Sequence, residues 1–168
     1  MSRPVRTSLV LNGAPADVDA PADEVLLTTL RNRGLASVRG TCGLGLCGTC
    51  TVLVDGQAVS ACLTLTAATA GAEVVTAEGL LMADGGPGPV QRAFVDSDAF
   101  QCSYCIPGMT VMVTAYLAEH PEPTVEGVRE YLQGNLCRCG TYPEILQAVD
   151  TLVRARRDAG DGEDAPAS

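Results

Sequence analysis

Eight cysteines are the residues of this 168-residue chain best able to do chemistry, and they fall into two sets of four. Cys42, Cys47, Cys50 and Cys62 follow C-x4-C-x2-C-x11-C; Cys102, Cys105, Cys137 and Cys139 follow C-x2-C, a 31-residue gap, then C-x-C. Thiolates are soft ligands that select zinc or iron–sulfur clusters. The first spacing is the one at which four thiolates hold a 2Fe–2S cluster in plant-type proteins, and it fits poorly with the paired C-x2-C elements of zinc knuckles. The second set, taken alone, is compatible with zinc or with a cluster. Two complete thiolate sets imply two one-electron centres in series.

A thiolate cage concentrates negative charge on sulfur, so backbone N–H groups must approach it. Gly43, Gly45 and Gly48 interleave the first three cysteines, and glycine permits close backbone approach and positive φ. The flanking elements must present these loops. Residues 5–12, the turn Asn12-Gly13 and residues 14–20 predict a hairpin; residues 50–54, Asp55-Gly56 and 57–63 predict a second. Leu26, Leu27 and Leu30 share a face in a helix over 23–33, ended by Gly34, and 73–77 is a short strand. This is a β-grasp pattern over residues 1–79.

Past Gly79 the composition shifts. Residues 84–89 (DGGPGP) are a linker, followed by helices over 89–97, 107–119, 125–133 and 142–157. The last is expected to open on a capping box, Thr141 with Glu144. The fold class is therefore α+β, with an all-α four-helix unit over 80–157 and an acidic tail, 158–168, expected to stay solvated and disordered.

Hydrophobic content of 46% with 4% aromatics supports only small cores, which cluster ligation would reinforce. Net charge is −9 and lysine is absent, which excludes the basic face that nucleic acid requires. No apolar segment follows Arg3 and Arg6 as in a signal peptide, and none reaches membrane-span length. A cytoplasmic location is expected, with the cysteines as ligands and not disulfides.

Three motifs in order, CGLGLCGTC (42–50), QCSYCIPGM (101–109) and GNLCRCGTY (134–142), closely resemble the iron–sulfur small subunit of the molybdenum hydroxylases, the xanthine dehydrogenase, aldehyde oxidase and carbon monoxide dehydrogenase family. The resemblance covers about residues 5–155 and implies a plant-type ferredoxin domain followed by the four-helix domain. It implies that Cys102, Cys105, Cys137 and Cys139 hold the 2Fe–2S cluster nearer molybdopterin, and that Cys42, Cys47, Cys50 and Cys62 hold the outer one. It also implies that Gln101 and Cys139 contact the pterin. The implied partners are a large molybdopterin subunit, carrying the cytosine dinucleotide form, and a medium FAD subunit or a haem acceptor, in a hetero-oligomer. No catalytic residue is identified in this chain. A free-standing two-cluster shuttle and a redox sensor are the alternatives.

Ser103 stands where the family has glycine, and its hydroxyl is expected to reach a cluster sulfur. Gly140-Thr141 reverses the commoner Thr-Gly order, as in the isoquinoline-type branch. Among the remaining residues, His120 reads as a helix-end side chain, Met109 and Met112 as helix core, Arg138 as either a surface cation or an offset to cluster charge, and Tyr104 as a ring packed over the cluster.

Overall fold

A computed structural model describes residues 3–161. Strands β1 (Pro4–Leu11) and β2 (Ala14–Pro21) form the first hairpin, and β3 (Thr51–Val54) and β4 (Gln57–Ser60) the second. Both turns place Asn or Asp and then Gly at positive φ (Asn12 50°, Gly13 80°; Asp55 49°, Gly56 81°), the backbone of a type I′ turn, whose twist matches the strands. Strand β5 (Glu73–Val75) lies between the hairpins, giving the mixed order β2-β1-β5-β3-β4, with β1 and β5 parallel and the other pairs antiparallel. Helix α1 (Leu26–Asn32) crosses one face, burying Leu26 and Leu30 against Leu9, Val18, Val52 and Val74.

The second hairpin is shorter than expected. Beyond Ser60 the chain turns, with Leu63 N–H and Thr64 Oγ1 both donating to the Ser60 carbonyl, and the turn carries Cys62 back toward the loop that holds Cys50. β5 also ends early, because Asn12 Oδ1 accepts from the Thr76 amide at 2.8 Å and draws it out of the ladder.

Helices α2 (Pro89–Asp96), α3 (Ile106–Glu119), α4 (Val125–Tyr131) and α5 (Tyr142–Asp161) surround a second core of Phe94, Met109, Val113, Val128, Ile145 and Val149. Helix α3 is apolar all round because it has two partners: Met109 and Val113 face the helical core, while Val111 and Ala115 join Leu53 and Ala77 against the sheet. The stacked ring of His120 on Tyr116, 4.0 Å between centroids, closes the C-terminal end of α3.

Two expectations need correction. Helix α5 continues past residue 157 to Asp161, since neither Asp158 nor Ala159 stops a helix that gains one bond per added residue; residues 162–168 of the expected tail lie outside the described residues. The capping box at Thr141 and Glu144 does not form. Thr141 Oγ1 lies 3.2 Å from Cys137 Sγ instead, and Glu144 Oε2 is buried without a hydrogen-bond partner. Among the described residues no helix is long and apolar enough to cross a membrane.

Candidate metal centres

The first cysteine loop links α1 to β3 and has little regular structure, since its backbone is given over to sulfur. Gly43, Gly45 and Gly48 all take positive φ, as expected. Leu44 and Leu46 amides donate to Cys42 Sγ at 3.4 Å each and hold that thiol down to about 6. At Gly48 the constraint is also steric: a Cβ there would meet Asn135 Nδ2 at 2.4 Å. Cys50 lies deeper, where burial pushes it up to about 11 and the neighbouring Cys62 thiol adds to the shift.

The second set has the same split. Its C-x2-C precedes α3, and its C-x-C lies between α4 and α5. Burial pushes Cys105 up to about 12, with the Cys137 thiol adding to the rise. Against its own burial, Cys137 is brought down to about 7 by the Thr141 hydroxyl and amide. The Tyr104 amide lowers exposed Cys102, followed by its contact with Cys139. The lowered thiols, Cys42, Cys102 and Cys137, are thereby disposed to be thiolates, whereas buried Cys50 and Cys105 need a metal to displace the proton.

All eight cysteines are free thiols. Among the described residues no group of three or more His, Cys, Asp or Glu converges as one ion requires. The cysteines instead face each other in pairs: Cys42 with Cys47, Cys50 with Cys62, Cys102 with Cys139 at 3.5 Å, and Cys105 with Cys137. Two pairs per set suit two irons, each taking two thiolates. A tetrahedral zinc site would draw all four sulfurs to one point.

The two sets are tied together. The Leu136 amide donates to the Cys47 carbonyl at 3.0 Å, and buried Asn135 donates through Nδ2 to the Gly48 carbonyl at 3.1 Å. Tyr142 secures this segment, accepting from the Cys137 amide at 2.9 Å and donating to the Asn135 carbonyl at 2.8 Å. Gln101 is exposed next to Cys102, whose sulfur touches that of Cys139 at 3.5 Å.

One side chain differs from expectation. Tyr104 does not lie over its own set: its hydroxyl reaches the Gly40 carbonyl at 3.3 Å, and the Arg39 guanidinium sits 5.2 Å from its ring centre. Ser103 takes φ 60°, the conformation glycine would provide. Sequence reading also missed Arg39, Thr41, Thr49, Asn135 and Tyr142. A signal was present for the two threonines, which flank cysteines inside the motif; Asn135 and Tyr142 act through contacts between distant segments.

Residues 9–79 match the family described as 2Fe-2S iron-sulfur cluster binding domain, and residues 76–150 that described as [2Fe-2S] binding domain. A nicotinate dehydrogenase subunit of Pseudomonas putida is 46% identical over 151 residues, covering 89% of this chain and 96% of that protein. The xanthine dehydrogenase iron–sulfur-binding subunit of Escherichia coli O157:H7 is 42% identical over 151 residues, covering 88% and 94%. Among solved structures, quinoline 2-oxidoreductase from Pseudomonas putida 86 superposes with a TM-score of 0.85 at 35% identity, over 94% of this chain and 98% of that one. With its paired cysteines and two cluster-binding matches, this chain belongs to the iron–sulfur subunits of the molybdenum hydroxylases.

Proposed function

We propose that the chain is the electron conduit of a multi-subunit molybdenum hydroxylase. Cys42, Cys47, Cys50 and Cys62, on a β-grasp domain over 1–79, hold one cluster; Cys102, Cys105, Cys137 and Cys139, on a four-helix domain over 80–157, hold the other. When bound, the clusters supply two one-electron acceptors in series. The residues fix the geometry around them. The Leu136 amide and Cys47 carbonyl join a ligand of one set to the neighbour of a ligand of the other, and that bridge is the observation that carries the proposal. Buried Asn135 holds it rigid, and Thr141 orients Cys137.

The second set lies toward the large molybdopterin subunit. Beside it Phe100 and Leu136 are exposed and apolar, as a surface awaiting a partner is, and Gln101 and Cys139 stand at that edge to meet the pterin. The first set, ringed by exposed Leu44, Leu46 and Leu63, faces the onward acceptor, a medium FAD subunit or a haem protein. Eight cysteines used as ligands, with no disulfide among them, suit a reducing cytoplasm. A free-standing shuttle is disfavoured because the relatives' names are those of subunits.

The test is metal content and spectroscopy of the purified complex. About four irons and four acid-labile sulfides per chain are expected, and Cys42→Ser should remove one paramagnetic signal while Cys105→Ser removes the other. Zinc, two irons, or one substitution abolishing both signals would overturn the assignment.

A further inference from the structure

Thr49 lies between two ligand cysteines of the first set, 5% exposed. Its hydroxyl has three neighbours that compete for one hydrogen. Cys47 Sγ is 3.2 Å away, the Arg39 carbonyl 3.1 Å and Thr41 Oγ1 2.9 Å. Thr41 Oγ1 in turn lies 3.5 Å from the Tyr104 hydroxyl, which reaches the Gly40 carbonyl at 3.3 Å. A hydroxyl donates once and accepts up to twice, so with Tyr104 donating to the Gly40 carbonyl and Thr41 donating to Thr49, the Thr49 hydrogen has two settings. In the outward one it points to the Arg39 carbonyl; in the inward one it points to the Cys47 sulfur.

Resting on the cluster assignment above, we propose that Thr49 is a two-position hydrogen-bond donor that stabilises the reduced state at the first cysteine set, with Thr41 as its support. When the first cluster is oxidised, its thiolates carry less charge and the Arg39 carbonyl is the better acceptor. Reduction adds one electron, taken from the second cluster, which is oxidised in the same step. The added charge makes Cys47 Sγ the better acceptor, and the Thr49 hydroxyl turns to it. No proton leaves oxygen; only the direction of the hydrogen changes. The inward setting is cooperative, because a hydroxyl that accepts a hydrogen bond donates a stronger one. Hydrogen bonds to cluster sulfur are one of the quantities that set the potential, and this one strengthens when the electron arrives. Tyr104 belongs to the second C-x2-C, so the string spans both sets.

The experiment is a redox titration of the intact complex followed by electron paramagnetic resonance, which reads both clusters separately. Thr49→Val keeps the branched shape and removes the hydroxyl. Losing a bond to a charged acceptor is worth about tenfold in the reduction equilibrium, which for one electron is a fall of about 59 mV in the first midpoint. The second midpoint and the iron content should not move, and Thr49→Ser should restore the first midpoint. An unchanged first midpoint in Thr49→Val, with both signals present, overturns the proposal. Should that variant fail to load iron, Thr41→Val replaces it: this more exposed substitution should lower the same midpoint by a smaller amount, and no shift there is equally fatal. Failure of the underlying assignment looks different, because the wild-type complex itself would then lack one of the two signals.

Discussion

Gly108 decides whether α3 can lie against the first cysteine loop. A Cβ at this position would meet the Gly48 carbonyl oxygen at 2.4 Å, with Thr49 Cα and Gly48 C at 3.3 and 3.4 Å. Real Cβ atoms essentially never come closer than 3.0 Å, so Gly108→Ala must open the contact by at least about 0.6 Å. Neither side gives way easily. The obstacle is backbone, and the Gly48 carbonyl is held by Asn135 Nδ2, Thr51 Oγ1 and the Thr51 amide. Helix propensity alone argues the other way, since alanine is favoured over glycine within a helix by up to about 1 kcal/mol. Overpacking a tight contact costs about 1–3 kcal/mol; with backbone as the obstacle this site belongs at the upper end, about 2–3 kcal/mol, so the net expectation is a loss of about 1–2 kcal/mol. For a chain of this size that is roughly 2–8 °C in Tm. The assay is thermal unfolding of the cluster-loaded chain followed by visible absorbance, with Gly134→Ala, where a Cβ meets nothing within 4 Å, as the control. A Tm at or above wild type in Gly108→Ala refutes the reasoning.

Ser103→Gly should stabilise the chain by up to about 1 kcal/mol: a non-glycine residue at φ 60° costs about 1–2 kcal/mol, and the freer unfolded chain returns part of it. Denaturant unfolding checks this, and a less stable variant refutes it. Glu78, although burial raises it, is held below its ordinary value by Ser37 and Thr76. A depressed carboxyl stabilises above its unfolded pKa and loses that contribution as pH falls through the folded one. Glu78→Gln should therefore be less stable than wild type at pH 7, by at most about 1 kcal/mol given solvent screening, and the gap should close below about pH 4. A gap that widens on acidification contradicts the sign.

Elements marked by local chemistry were legible in the sequence. Asn12-Gly13 and Asp55-Gly56 placed both hairpins because the type I′ turn demands positive φ at both positions. Gly43, Gly45 and Gly48 marked the backbone that must wrap sulfur. What local pattern could not show was competition for a side chain. Thr141 and Glu144 fit a capping box, yet Cys137 lies within reach of the same hydroxyl and takes it. Tyr104 lies beside its own cysteines in sequence, but its ring crosses to Arg39 and Gly40, 64 residues away in the chain. Asn135 lies within the third motif, yet nothing local to that motif shows that its side chain holds the Gly48 carbonyl, 87 residues away in the chain.

The two kinds of surface in this chain separate what a substitution can do. Between the cysteine sets the contacts are close and involve backbone: Gly108 on Gly48, Asn135 on the Gly48 carbonyl, Leu136 on the Cys47 carbonyl. Change there is felt in folding, because nothing can move aside and a buried polar partner is left short. At the rims the apolar side chains of Leu44, Leu46 and Leu63, and of Leu136, stand largely in solvent and belong to neither core. Truncating them leaves the isolated chain's stability within about 0.5 kcal/mol, so any loss from those positions must arise in association. An electron-transfer subunit requires this division: a rigid middle keeps the two cysteine sets in register, while the exposed rims stay available for association.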